Sequence, residues 1–324
     1  MTKPLKLGVV MDPIEGIRRP LYESTVHILH AAEQQHFEIA YLAQPELFVL
    51  DGKAYGEARF LHVNKDNPSW FSEYDKKTLP LSDFDIILMR KDPPFNIPYI
   101  YATYILELAE KAGTLVVNKP QSLRDANEKL FTAHFPQCCA PTLVSSNRTL
   151  LHEFWKQQRA VVFKPLHGMG GQDIFIADDK EPNVTVIIEM LTQKGTLPIL
   201  AQLYLPQIHE TGDKRILMID GKPIPYALAR FPAEGETRGN LAAGGHGVVV
   251  ELNERDRWLC SQIGPVLKSK QIMLAGVDVI GDYITEINIT SPTGIPSIVE
   301  KVPIDIAGLL IKTLREKYDS LHTC

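Results

Sequence analysis

The sequence predicts an α/β domain followed by a second domain of α+β type. Three observations carry this. Over the first 120 residues short apolar runs alternate with segments of helical spacing, the pattern of a parallel sheet with crossover helices. After Lys119-Pro120 strands dominate, so that half reads as mostly antiparallel sheet flanked by helices. The 324 residues, 44% of them hydrophobic, allow a sizeable core and suggest two domains or one large one.

Each element has a local warrant. Residues 5–11 form an apolar, β-rich run closed by Asp12-Pro13, and residues 22–36 carry Val26, Leu29 and Ala32 on one helical face. Residues 37–42 return to a strand pattern, and 47–63 reads as a hairpin-like insertion around Asp51-Gly52. Residues 84–89 form another buried-looking strand, 99–112 a helix stopped by Gly113, and 114–118 a further strand. A helix is expected to start near Ser122 and to carry Glu128 and Lys129. A second helix covers 148–158, and a strand covers 160–164. Strands then follow at 174–177, 184–188, 199–205, 214–220 and 224–231. Residues 255–270 are helical, 272–280 and 283–289 are strands meeting at Gly281-Asp282, and 304–318 form a last helix. The domain boundary is expected near 120–127.

Bulk properties exclude several classes. The formal charge of −5 gives no electrostatic case for nucleic acid or an anionic membrane. The opening apolar run is too short and too interrupted for a signal peptide, and no stretch is long enough to span a bilayer. Cys138, Cys139, Cys260 and Cys324 contain no Cys-x-x-Cys pair, which speaks against a disulfide framework or a zinc site. A reduced, cytoplasmic protein is expected.

The chemistry-bearing residues lie in the second half. Lys164-Pro165-Leu166-His167-Gly168-Met169-Gly170-Gly171 has the composition of a phosphate loop, but the lysine precedes the glycines and no Walker A order exists. A lysine at a strand end can enter a cleft while Gly168, Gly170 and Gly171 close over phosphates with backbone N–H groups. A tight hairpin turn is the competing reading. Glu286 and Asn288 are two apart on one strand and share a face; Asp278 precedes the turn and can sit opposite them. Two carboxylates and an amide oxygen suit Mg²⁺, which takes few protein ligands plus phosphates and water. An ordinary solvated hairpin face is the alternative, although the alternating Val277, Val279, Ile287 and Ile289 make one whole face polar. Gln202-Leu203-Tyr204-Leu205, an apolar strand ended by Pro206, can offer backbone groups to an adenine edge; a plain buried strand is the competing reading. Arg215 and Arg230, at strand positions, suit bidentate recognition of phosphate or carboxylate; a surface salt bridge is the alternative for each. Residues 235–247 hold five glycines together with Glu236, Arg238 and Asn240, the composition of an active-site lid or of a plain connector.

Together these motifs resemble the ATP-grasp superfamily and, within it, prokaryotic glutathione synthetases. The likeness runs through Gly8-Val9-Val10-Met11-Asp12-Pro13, Met89-Arg90-Lys91-Asp92-Pro93-Pro94-Phe95, Asn118-Lys119-Pro120-Gln121-Ser122-Leu123-Arg124-Asp125 and Asn127-Glu128-Lys129-Leu130-Phe131. It continues in Gly235-Glu236-Thr237-Arg238-Gly239-Asn240-Leu241-Ala242-Ala243-Gly244-Gly245 and Glu286-Ile287-Asn288-Ile289-Thr290-Ser291-Pro292-Thr293. The resemblance implies a pre-ATP-grasp α/β domain at 1–124 and an α+β ATP-grasp domain of two subdomains at 125–318, with the lid at 232–247. It implies ATP-dependent ligation of γ-glutamylcysteine to glycine, through an acyl phosphate, with two Mg²⁺ or Mn²⁺ ions. Lys129 and Lys164 match nucleotide-contacting lysines, Gln202, Tyr204 and Leu205 the adenine segment, and Asp213 a ribose contact. Asp278, Glu286 and Asn288 match metal ligands, Arg215 and Arg230 arginines near the transferred phosphoryl group, and Arg238 and Asn240 belong to the lid. Small-molecule substrates, no nucleic acid, no membrane and a homotetramer are the implied partners. The chain departs from the family pattern at His167, His246 and Gly294, where Asp, Arg and Cys are usual. Another ATP-grasp ligase, joining D-alanines or adding glutamate to a peptide, and a nucleotide-binding regulator that has lost catalysis are the alternatives.

Overall fold

The computed structural model describes residues 4–67, 69–168, 172–233, 239 and 244–322. The chain opens with β1 (Lys6–Met11), α1 (Ser24–Gln34), β2 (Glu38–Leu50), β3 (Lys53–Val63), β4 (Phe71–Pro80), β5 (Ile86–Met89), α2 (Ile97–Lys111), β6 (Leu115–Val117) and α3 (Pro120–Asp125). Six strands form one sheet in the order β4-β3-β2-β1-β5-β6. β2, β1, β5 and β6 run parallel, as the alternation of apolar runs and helices predicts; β3 and β4 add an antiparallel extension. Asp51 and Gly52 close the β2–β3 hairpin with φ of 48° and 76°, the left-handed pair that a two-residue turn on twisted strands demands. β4 is mostly exposed and polar, without the apolar alternation that marks a strand in a sequence.

The second half contributes β7 (Thr142–Ser145), α4 (Arg148–Gln158), β8 (Val161–Pro165), β9 (Phe175–Ala177), α5 (Val184–Leu191), β10 (Ile199–Leu203) and α6 (Ile208–Thr211). It continues with β11 (Asp213–Ile219), β12 (Lys222–Phe231), β13 (His246–Glu251), α7 (Glu254–Ser269), β14 (Leu274–Ile280), β15 (Tyr283–Asn288), α8 (Ile295–Val299) and α9 (Ile306–His322). Two antiparallel sheets result, β7-β10-β8-β9 and β13-β12-β11-β14-β15. This is the α+β pattern of two subdomains.

Two readings need correction. Residues 184–188 are helix, not strand: Val184, Ile187 and Ile188 bury together at i, i+3 and i+4 against the small sheet, and this packing overrides their β propensity. The helix near Ser122 stops at Asp125, so Glu128 and Lys129 sit in a connector. There the Asn127 side chain accepts from the Lys129 and Leu130 N–H groups and donates to the Leu166 carbonyl, which replaces helical bonding.

Asn118, buried at the end of β6, ties the two halves. Its Oδ1 accepts from the Met273 and Leu274 N–H groups at 2.8 and 3.0 Å, and its Nδ2 donates to the Leu274 and Ile289 carbonyls at 2.7 and 2.6 Å. It thereby fixes the start of β14 and the end of β15 against the N-terminal sheet.

Candidate active site

A cavity of about 420 Å³ opens between the two antiparallel sheets and reaches the N-terminal domain at Tyr22, Asp92 and Pro93. β8 and β10 bring Lys164 and Gln202 to one wall, and β11, β12, β14 and β15 bring Arg215, Arg230, Asp278, Glu286 and Asn288 to the other. The placement follows from strand register: Asp278 lies opposite Glu286, Arg215 opposite Asp278, and Asp213 opposite Arg230. Alternate residues on these strands, among them Val277, Val279 and Ile287, are fully buried on the far face.

Charge is concentrated here. Asp278 receives Arg215 through Nε at 2.5 Å and Nη2 at 2.9 Å, while Arg230 Nη2 lies 3.1 Å from its Oδ1 and Asn288 Nδ2 donates to its Oδ2 at 3.2 Å. Burial alone would raise the Asp278 carboxyl, but Arg215 and Arg230 outweigh it and hold it well below the usual carboxylate range. Arg230 Nη2 also donates to Asp213 Oδ2 at 2.6 Å. Burial pushes Asp213 up to about 6 against the pull of Arg230, and among the described residues its buried Oδ1 has no hydrogen-bond partner. Lys129 Nζ bonds Glu128 and the Gly168 carbonyl, the latter at 3.2 Å, and Lys129 and Lys164 each stand 3.8 Å from Glu286 Oε1. Burial alone would lower Lys129; Glu286 and Glu128 reverse that and hold it above its ordinary value. Gly168 has φ +127°, which a side chain would strain.

Two family models match this chain. The prokaryotic glutathione synthetase N-terminal domain covers residues 5–124, and the prokaryotic glutathione synthetase ATP-grasp domain covers residues 128–302. The chain belongs to the prokaryotic glutathione synthetase family. Among its relatives, the glutathione synthetase of Escherichia coli K12 is 49% identical over 313 residues, 97% of this chain and 98% of that one. That of Pseudomonas aeruginosa is 52% identical over 294 residues, 91% of this chain and 92% of the relative. That of Coxiella burnetii is 48% identical over 314 residues, 97% of each. Solved structures with a similar fold include a D-cycloserine synthetase (TM-score 0.69, 14% identity, 97% of this chain and 99% of that one) and D-alanyl-alanine synthetase A of Vibrio cholerae (0.64, 13%, 99% and 100%). At those identities the likeness concerns the fold alone.

For this family member the cavity gathers Lys129, Lys164, Gly168, Gln202, Tyr204, Leu205, Asp213, Arg215, Arg230, Asp278, Glu286 and Asn288, all singled out from the sequence. Gly170, Gly171, Arg238 and Asn240 lie outside the described residues, as does most of 232–247; the end of that span, from His246, is already strand β13. His246 stacks on Phe231 with ring centroids 5.2 Å apart, and His167 is exposed. Among the described residues the peptide between Tyr204 and Leu205 makes no backbone hydrogen bond through its carbonyl or its N–H, which point in opposite directions, and both residues line the cavity.

Sequence reasoning gave Glu128 no role. Its carboxyl reaches into the cavity beside Lys129, and burial, then the Glu286 charge, raises it. The only signal was its place next to Lys129. A divalent cation is tested by the donors present. Glu286 and Asn288 offer hard oxygen atoms on one wall and Asp278 adds a carboxylate already engaged by Arg215 and Arg230, yet among the described residues no group of three or more His, Cys, Asp and Glu can hold a metal by itself. That donor set fits a cation that arrives with phosphate oxygens and water.

Proposed function

We propose that this chain joins γ-glutamylcysteine to glycine and converts ATP to ADP and phosphate. The supporting observation is a single cavity that faces Lys129, Lys164, Arg215 and Arg230 toward Asp278, Glu286 and Asn288, in a chain about half identical to glutathione synthetases along nearly its whole length.

The order of events follows from carboxylate chemistry. A carboxylate is a poor electrophile at neutral pH. The cysteinyl carboxylate oxygen attacks the γ-phosphorus of ATP, and ADP leaves. The glycine amine then attacks the carbonyl of the acyl phosphate, the C–O bond to phosphate breaks, and the amine gives up a proton. The adenine sits against the segment that carries Gln202, Tyr204 and Leu205, and Asp213 receives the ribose. Lys129 and Lys164 contact phosphate oxygens. Arg215 and Arg230 spread positive charge over the transferred phosphoryl group, held at fixed angles by Asp278 and Asp213. Asp278, Glu286 and Asn288 would hold Mg²⁺ or Mn²⁺, in all two ions, which neutralise charge on the triphosphate when bound. Arg238 and Asn240 belong to the lid that keeps water from the acyl phosphate. No side-chain nucleophile is required. A homotetramer and a cytoplasmic location complete the reading. Among the described residues, no helix is long and apolar enough to cross a membrane.

The test is product analysis with the purified protein. Glutathione and ADP should form in equal amounts when ATP, γ-glutamylcysteine and glycine are all present. ADP formation that ignores the dipeptide, or ligation of D-alanine instead, would overturn the proposal.

A further inference from the structure

Turn 291–294, three residues beyond Asn288, lines the cavity and is gripped from two domains. From the ATP-grasp side, Arg215 Nη1 donates to the Thr293 carbonyl at 3.4 Å. From the N-terminal domain, Arg90 Nη2 donates to the neighbouring Pro292 carbonyl at 3.1 Å. Ser24 Oγ accepts from the Gly294 N–H at 3.1 Å and from the Ile295 N–H at 3.3 Å.

Each grip has a local reason. Gly294 is the N-cap of α8 and has φ +118°, so it supplies the bend but has no side chain to satisfy the first N–H groups of the helix. Ser24, the first residue of α1 and 1% exposed, does this from 270 positions away. Arg90 is 4% exposed; its Nε donates to Thr25 Oγ1 at 3.1 Å, and its Nη1 has no partner among the described residues. A buried cation bonded only to neutral acceptors is an expensive way to anchor one carbonyl, and such expense is most often retained near a site of chemistry.

We infer that Ser24 and Arg90 are positioning residues for the ligation: through turn 291–294 the N-terminal domain sets the wall that Arg215 and Asn288 share. This rests on the proposed function, because the effect is read in glutathione synthesis. Neither residue lines the cavity, and the adenine segment at Gln202, Tyr204 and Leu205 makes no hydrogen bond with the turn. Their loss therefore displaces the reacting end and spares the nucleotide end.

The experiment uses the full-length Ser24→Ala and Arg90→Met variants and the double variant, with the wild type alongside. Each single change should lower kcat about ten- to a hundredfold, the cost of a small misplacement of reacting groups. The KM for ATP should stay within about twofold. Because both residues act on one turn, the double variant should lose less than the product of the single losses. Amide exchange at Gly294 and Ile295 should quicken in Ser24→Ala, a readout that needs no turnover. Should Ser24→Ala fail to fold, Arg90→Lys keeps a donor for Pro292, gives up the Thr25 contact, and should show the same split between kcat and the KM for ATP. Folded variants with wild-type kcat, or a lower melting temperature with kcat per folded molecule intact, would overturn the inference. A wild-type protein that makes no glutathione would instead overturn the proposed function, and amide exchange would still report on the turn.

Discussion

Arg230 meets two carboxylates at once, Asp213 at 2.6 Å and Asp278 at 3.1 Å, and its Nε adds the Asp213 carbonyl at 3.2 Å. The planar fork spreads these contacts over two nitrogen atoms, Nη2 and Nε, which a single ammonium cannot do. Arg230→Lys keeps the charge and loses the fork, so kcat should fall about tenfold or more. Steady-state kinetics decide this, and wild-type kcat would remove Arg230 from the machinery. Glu286 faces two lysines at 3.8 Å without a close hydrogen bond to either, which leaves its oxygens available to a cation. Glu286→Gln should sharply weaken Mg²⁺-dependent turnover while the melting temperature holds. An unchanged Mg²⁺ titration would contradict the assignment. Two thiols outside the cavity follow a simpler rule. Burial pushes Cys139 up to about 11 and Cys260 up to about 12, above the ordinary thiol range. The sign follows: their contribution to stability is complete below about pH 8.5, the unfolded thiol value, and is lost as pH rises through the folded values. At about pH 8, below that window, the folded protein should leave Cys139 and Cys260 unalkylated by iodoacetamide over a period that fully alkylates them in urea. Mass spectrometry of the two peptides reads this, and equal labelling in both states would contradict the burial argument.

At the scale of elements, Asn118 is the most consequential single joint. Asn118→Ala leaves two buried N–H groups and two buried carbonyls at the β14 and β15 ends short of a partner. Unfolding in urea should show a loss of roughly 2–4 kcal/mol, since each orphaned group costs about 1–3 kcal/mol and relaxation recovers part. A loss below the cost of one hydrogen bond would mean that water or the backbone replaces the amide. Elements whose burial is periodic are legible in the sequence. β1, β5 and β14 are almost wholly buried apolar runs, α2 ends at a left-handed Gly113, and α4 begins at an Asn147 cap that accepts from Thr149 and Leu150. α5 is not legible as a helix because Val-Thr-Val-Ile-Ile is β-branched throughout. Its helical face exists only once the small sheet is there to cover Val184, Ile187 and Ile188, while Val186 stays 61% exposed. Lys164, Arg215, Arg230, Asp278, Glu286 and Asn288 are legible because they combine unusual types at strand spacing, whereas Lys129 and Asp213 are legible only through the family resemblance. Glu128, Ser24 and Arg90 are not, because their meaning lies in partners that sequence order does not bring near. Arg90 and Pro292 are 202 positions apart.

At the scale of the molecule, the N-terminal sheet and the two antiparallel sheets enclose one cavity, and their junctions run through Asn118, Ser24 and Arg90. β1 lies between β2 and β5, so the connections after β1 and after β5 diverge, and Asp92 and Pro93, just beyond β5, face the cavity at that divergence. In the proposed reaction the cavity activates the dipeptide as an acyl phosphate before glycine attacks. The most direct measurement is oxygen transfer from γ-glutamylcysteine labelled with ¹⁸O in the cysteinyl carboxylate. One ¹⁸O atom should appear in the released phosphate for each glutathione formed. Unlabelled phosphate accompanying full glutathione synthesis would contradict it.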